Sequence, residues 1–207
     1  MKMRAISLFI AVAVLAGCDA PPTAELDAAK QALDSAQDVG AERFAADEYA
    51  AAQRAYSEAE ATTNTEAERF FLFKDFEQAR AQIADAKTKA MRAESSAEAE
   101  KKRQRESAEA AIAAARDAIA AAYTSLEEAP SGKGTEADIE ELRAELSTAD
   151  ADLDAAEAAV DSEHFPDAES LADSADQKAT EVADGVIVAV DRYYALVEEM
   201  RPWYERF

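Results

Sequence analysis

The chain has 207 residues, with 44 Asp and Glu against 22 Lys and Arg, a formal net charge of −22, and 54 alanines that make up just over half of its apolar content. Setting the alanines aside leaves 47 larger apolar or aromatic residues, ten of them in the first 18 positions, so 37 remain to build a core. That supply argues against a thick single globule or an α/β enzyme, since strands draw on β-branched and aromatic residues and alanine is the best helix former. The negative charge argues against a nucleic-acid partner, whose phosphates it would repel.

Lys2 and Arg4 precede an apolar run from Ile6 to Leu15, the length of a secretory signal rather than of a membrane-spanning helix. The run ends in Leu15-Ala16-Gly17-Cys18, which resembles the bacterial lipobox. The resemblance implies a signal peptide over 1–17 and acylation of Cys18, the sole cysteine, as the first residue of the mature chain. Losing Lys2 and Arg4 takes the charge from −22 to −24. Multiple acyl chains anchor stably where one is marginal, so the membrane is an expected partner, in the bacterial envelope and facing the periplasm. Asp19 resembles an inner-membrane retention signal, with the outer membrane as the alternative. Residues 18–25, including Pro21-Pro22, read as a stiff tether, with Thr23 as the N-cap of the first helix.

Leu26, Ala29, Leu33 and Ala36 recur at helical spacing, and Gly40 suits the position just beyond a helix end. Tyr49, Ala52, Tyr56 and Ala59 predict a second helix. Thr62-Thr63-Asn64-Thr65 prefer caps and turns and predict its end, one of them capping the next helix. Phe70-Phe71-Leu72-Phe73 reads as an apolar plug where the hairpin closes. Phe76, Ala79, Ile83, Ala86, Ala90, Ala93 and Ala97 alternate by three and four, a coiled-coil seam with small knobs. The stripe fails over 98–107 and resumes as Ala108, Ile112, Ala115, Ile119, Ala122 and Leu126. Unbroken, the helix would run from Phe76 to Glu128, its polar middle lying beyond its partners.

The segment 130–136 is the clearest linker. Ile139, Leu142, Leu146, Ala149, Leu153, Ala156 and Val160 predict the next helix, ending near Glu163-His164-Phe165-Pro166. Ala168, Ala172, Ala175, Ala179 and Val182, then Val186 to Val190, Tyr193, Tyr194 and Val197 predict the last, stopped by Pro202. Phe76-x₂-Ala79-x₃-Ile83-x₂-Ala86-x₃-Ala90 returns as Phe165-x₂-Ala168-x₃-Ala172-x₂-Ala175-x₃-Ala179, 89 positions later. The expected fold is therefore all-α: elongated antiparallel helical hairpins in a coiled-coil-like bundle. Two related units are expected, 26–129 and 137–207, the second with an aromatic tail.

The stretch from Leu26 to Ala97, in particular Val39-Gly40-Ala41-Glu42-Arg43-Phe44-Ala45-Ala46-Asp47-Glu48-Tyr49 with alanines every three or four residues and then Lys74-Asp75-Phe76-Glu77-Gln78-Ala79, resembles an Ala-rich helical domain of unknown function found in bacterial lipoproteins. In relatives that domain sometimes precedes an OmpA-like domain, which is absent here. The resemblance implies no catalytic residue.

Candidate chemistry is sparse. Asp150, Asp152, Asp154 and Asp161 fall at calcium-loop positions 1, 3, 5 and 12, but position 6 is Ala155 instead of glycine and position 12 lacks the bidentate glutamate. They read as a solvated helix face. Asp161 and His164 form only a fragment of a carboxylate-bundle metal motif. Ser131-Gly132-Lys133-Gly134-Thr135 lacks the first glycine and the preceding strand of a phosphate loop. Lys101-Lys102-Arg103-Gln104-Arg105 reads as an exposed helix steadied by Glu98–Lys102, Lys102–Glu106 and Arg105–Glu109 pairs, or as a contact for anionic lipid or another acidic copy. Tyr193, Tyr194, Trp203, Tyr204 and Phe207 read as packing across a bundle end, or as a partner or membrane patch.

The functional expectation is a lipid-anchored, non-catalytic structural or adaptor protein whose partner is another envelope protein or a second copy. No cofactor, metal ligand or catalytic residue is assigned. The alternatives are a self-assembling periplasmic bundle, a nonspecific divalent-cation module and, least favoured, a periplasmic hydrolase.

Overall fold

The computed structural model describes residues 20–130, 132 and 134–201. Within them the chain is all-α. Six helices, α1 (Thr23–Asp38), α2 (Ala41–Phe44), α3 (Ala46–Glu68), α4 (Glu77–Glu128), α5 (Glu136–Asp161) and α6 (Phe165–Glu199), follow one another with a single 3₁₀ turn at Phe71–Phe73. The chain forms two compact units that divide between Glu98 and Ala99. This corrects the expected boundary at 130–136, which instead joins α4 to α5 inside the second unit. The division falls where the apolar seam of α4 lapses, so each half of that helix supplies an alanine face to its own unit.

In the first unit α1, α3 and the opening of α4 share a core in which Ala29, Ala59 and Ile83 meet, with Leu26 and Tyr56 packed against them. Pro22 sits immediately before α1: its carbonyl accepts the Leu26 N–H at 3.0 Å, and Pro21 O accepts the Thr23 N–H at 2.8 Å. Pro22 is buried and takes the N-cap position, and Thr23 is already helical. Pro21-Pro22 is thus docked at the helix start rather than acting as a free spacer, and Thr23 is not the N-cap. Gly40 has φ of 87° and donates to Gln37 O at 2.8 Å, the left-handed stop that glycine adopts without steric cost.

α3 runs straight through Thr62 to Thr65, contrary to the turn those residues predict. Thr63 Oγ1 donates to Ala59 O at 2.7 Å and Thr65 Oγ1 to Ala61 O at 2.8 Å, so each hydroxyl is satisfied one helical turn back and does not compete for a capping position. The hairpin closes beyond them. Lys74 Nζ donates to Ala67 O at 2.7 Å, one of the carbonyls α3 leaves without an intrahelical partner, and Asp75 Oδ1 accepts the Glu77 N–H at 3.0 Å. The plug is Phe76, fully buried, whereas Phe70, Leu72 and Phe73 are more than 60% exposed. The expected role of the 70–73 cluster is overturned because no helix places those side chains toward the seam.

The Phe76 to Ala97 seam is buried throughout by the chain's own helices, so it is no surface for another copy. The second unit repeats the scheme with α6, where Phe165, Ala168, Ala172, Ala175 and Ala179 are all at most 1% exposed. The echo in sequence is thus an echo in burial. α5 ends in a Schellman arrangement, His164 N–H to Ala159 O at 2.8 Å and Glu163 N–H to Val160 O at 3.0 Å, with Glu163 at φ 61° where glycine is usual.

Two stability outcomes follow by thermal or denaturant unfolding. Phe76→Ala should cost about 3–5 kcal/mol, as large-to-small changes in packed cores do, while Phe73→Ala should stay within about 0.5 kcal/mol. Gly40→Ala should cost about 1–2 kcal/mol for the left-handed conformation alone, since the added Cβ would also press on the Phe44 ring at 3.2 Å.

Candidate functional site

The polar residues that sequence reasoning singled out are distributed along helices rather than gathered. Asp150, Asp152 and Asp154 lie on the unbroken α5, with Asp161 its last residue. Asp150 accepts the Tyr123 hydroxyl, which raises the Tyr123 pKa. Asp152 accepts from Lys178 Nζ at 2.7 Å and Ser174 Oγ at 2.9 Å. These bonds join α5 to α4 and α6, and they use the carboxylates as cross-links. No group of three or more His, Cys, Asp or Glu side chains able to hold a metal ion occurs among the described residues. His164 is exposed at the start of α6, its backbone serving the α5 terminus. Gly132, Gly134 and Thr135 form a turn, Thr135 donating from N and Oγ1 to Gly132 O at 3.1 and 2.8 Å. Ser131 and Lys133 lie outside the described residues.

The basic block is engaged rather than bare. Lys102 lies 3.8 Å from Glu106 and Arg105 3.9 Å from Glu109. Arg103 clamps Glu100 through two bonds of 2.9 and 2.6 Å. That clamp, helped by Gln104, pulls the Glu100 carboxyl down to about 2. Lys101 pairs with Glu163 at 2.7 Å, and Arg105 lies over the Phe165 ring at 5.4 Å from its centre. Ser107 Oγ bonds Glu169 at 3.0 Å. The polar middle of α4 therefore does not lie beyond its partners. Charge and cation–π contacts with the α5–α6 corner replace the missing apolar knobs there.

Cys18 and Asp19 lie outside the described residues, as do Trp203, Tyr204 and Phe207. Among the described residues no helix is long and apolar enough to cross a membrane. Tyr193 and Tyr194 make an edge-to-face pair at 5.5 Å, with Tyr194 left exposed, as are Ile187 and Val188 on the same helix.

Two of the concave features are open grooves between helices. In the first unit, Ala24, Glu25, Ala28, Arg80, Ile83, Ala84 and Lys87 line one of about 380 Å³. In the second, Asp138, Glu141, Leu142, Glu145, Gly185, Val188, Ala189 and Arg192 line one of about 460 Å³, closed on one side by the 2.6 Å Arg192–Asp138 bond. Neither groups a nucleophile with a base. The feature that sequence reasoning misassigned is the apolar tip of Phe70, Leu72 and Phe73. Its signal was present in the lack of helical periodicity around it, which leaves no neighbour to bury it.

Compared with family models, curated proteins and solved structures, the chain matches none of them.

The Asp152 cross-link gives a pH test. Its hydrogen bond from Lys178, then that from Ser174, holds the carboxyl below its ordinary value. A depressed carboxyl contributes stability above the ordinary carboxylate range, near 4, and loses it as the pH falls below that range. Asp152→Asn should therefore cost about 1 kcal/mol at neutral pH. In acid-unfolding curves the gap from the parent chain should close below the ordinary carboxylate range.

Proposed function

We propose that this chain is a lipid-anchored protein of the bacterial envelope, held to a membrane by acylated Cys18 and acting on the periplasmic side as a structural or adaptor protein rather than as a catalyst. The observation that carries the reading is the order of signals at the start of the chain: a basic pair, the apolar run Ile6 to Leu15, and Leu15-Ala16-Gly17-Cys18. Small residues at the two positions before Cys18 give a peptidase access to the backbone, and the thiol is the nucleophile that acyl transfer needs. The helical fold fits such a role, because alanine seams build long faces from few large residues and leave the opposite faces acidic. The resemblance of Leu26–Ala97 to a helical domain of bacterial lipoproteins is in line with the same location, and Asp19 favours the inner membrane.

Self-association is the second reading. It draws support from exposed Ile187, Val188 and Tyr194 on α6, which would be covered if two copies met along that helix.

The test is crosslinking in intact envelopes followed by pull-down, with Cys18→Ser as the control. The adaptor reading expects one stoichiometric partner, lost together with membrane association when Cys18 is replaced. Self-crosslinks that persist in Cys18→Ser would replace it with the assembly reading, and an unaltered soluble distribution of both forms would remove the anchor.

A further inference from the structure

The two ends of the first unit are built differently. At the Gly40 end the aromatic residues are enclosed, Phe44 at 9% and Tyr49 at 4% exposure, whereas at the other end Phe70, Leu72 and Phe73 are 61%, 68% and 67% exposed. Three large apolar side chains on one short loop depart from the usual pattern of singly scattered surface residues. The loop holding them is tied down, through Lys74 to Ala67 O at 2.7 Å, the Asp75 N–H to Glu66 Oε2 at 3.4 Å, and the Phe73 N–H to Phe70 O at 2.8 Å. The exposure is therefore set by the fold.

This tip lies at the end where the chain comes in from Cys18. Arg80, in the first turn of α4, donates from Nη2 to Ala20 O at 3.3 Å, and its Nε lies 3.7 Å from Glu25 in the first turn of α1. α1 and α4 thus start at the same end. α3, packed against both through Ala59, runs the other way and delivers the 69–76 loop there. Only Asp19 separates Cys18 from Ala20, a reach of roughly 7 Å even when fully extended.

We propose that Phe70, Leu72 and Phe73 dock into the interfacial layer of the bilayer that carries the Cys18 acyl chains, giving the first unit a second membrane contact. The inference rests on the reading of Cys18 as an anchor. Given that anchor, the tip is held next to lipid at high effective concentration, so a modest apolar contact suffices to keep it there. Charge does not oppose it locally: residues 66–80 hold four carboxylates and three cations, in a chain that is otherwise strongly acidic. Docking would orient the first unit on the membrane instead of leaving it to swing on its anchor.

The experiment uses the full acylated chain in vesicles of phosphatidylethanolamine and phosphatidylglycerol, with acylation of Cys18 verified by mass. Because acylation consumes the sole native thiol, Leu72→Cys and, at the opposite end, Glu42→Cys each accept a single environment-sensitive fluorophore. The tip reading expects blue-shifted emission at position 72, quenching by brominated acyl chains, and severalfold weaker quenching by iodide than at position 42. It further expects the acylated chain carrying Phe70→Ser and Phe73→Ser, helical by circular dichroism, to lose the blue shift and the brominated-lipid quenching at position 72.

Acylated protein in which position 72 behaves like position 42 overturns the tip and leaves the anchor standing. Shielding from iodide without quenching by brominated lipid also overturns it, because a second copy would then be the cover. A chain without acyl mass on Cys18 removes the anchor, and this inference with it.

Discussion

Close approach of helices through alanine is the constraint on which the rest of this structure depends. The buried apolar positions of the second unit and of the Phe76–Ala97 seam in the first follow a three-four spacing, and most are alanines at or near zero exposure. A seam of small knobs buries little apolar area per residue, at roughly 25 cal/mol per Å². It gains instead from short interhelical distances and from the low conformational entropy that alanine loses on burial. The few large residues then act as locators. Phe76 and Phe165 stand at corresponding places, each immediately after a helical corner, and fix where the next helix begins.

The polar interactions are subordinate to that packing but set its register. Arg116 with Glu157, Lys178 with Asp152, and Arg192 with Asp138 tie the helices of the second unit together at successive levels. Each is partly exposed and individually modest. Together they penalise a shifted alignment, which an alanine stripe by itself tolerates poorly discriminated. The same logic accounts for the middle of α4. The buried positions step from 97 to 108, a gap without apolar knobs. Lys101, Arg105 and Ser107 occupy the gap with ionic, cation–π and hydrogen-bonded contacts.

Much of this was legible in the sequence because periodicity reports burial directly. The seam from Phe76 to Ala97, its resumption at Ala108, the face from Ile139 to Val160 and the stop at Gly40 all follow from spacing and from the φ that glycine permits. What was not legible depends on choices that composition leaves open. Thr63 and Thr65 can cap a helix or bond back within one, and only the surrounding packing decides. Pro22 can extend a tether or dock at a helix start. An aromatic cluster suggests a core, yet Phe70, Leu72 and Phe73 fall between two helices with no seam to enter. The unit boundary was misplaced because Pro130 and the nearby glycines mark a turn, whereas the lapse within α4 carries no punctuating residue at all.

The proposed link between this fold and a membrane is one covalent event at Cys18, which can be tested directly. The mature protein would be isolated from the membranes of a bacterial host and its N-terminal peptide analysed by mass spectrometry. The account predicts a chain beginning at Cys18 with acyl chains on that residue. A mature chain retaining Met1, or beginning elsewhere with Cys18 unmodified, would contradict it.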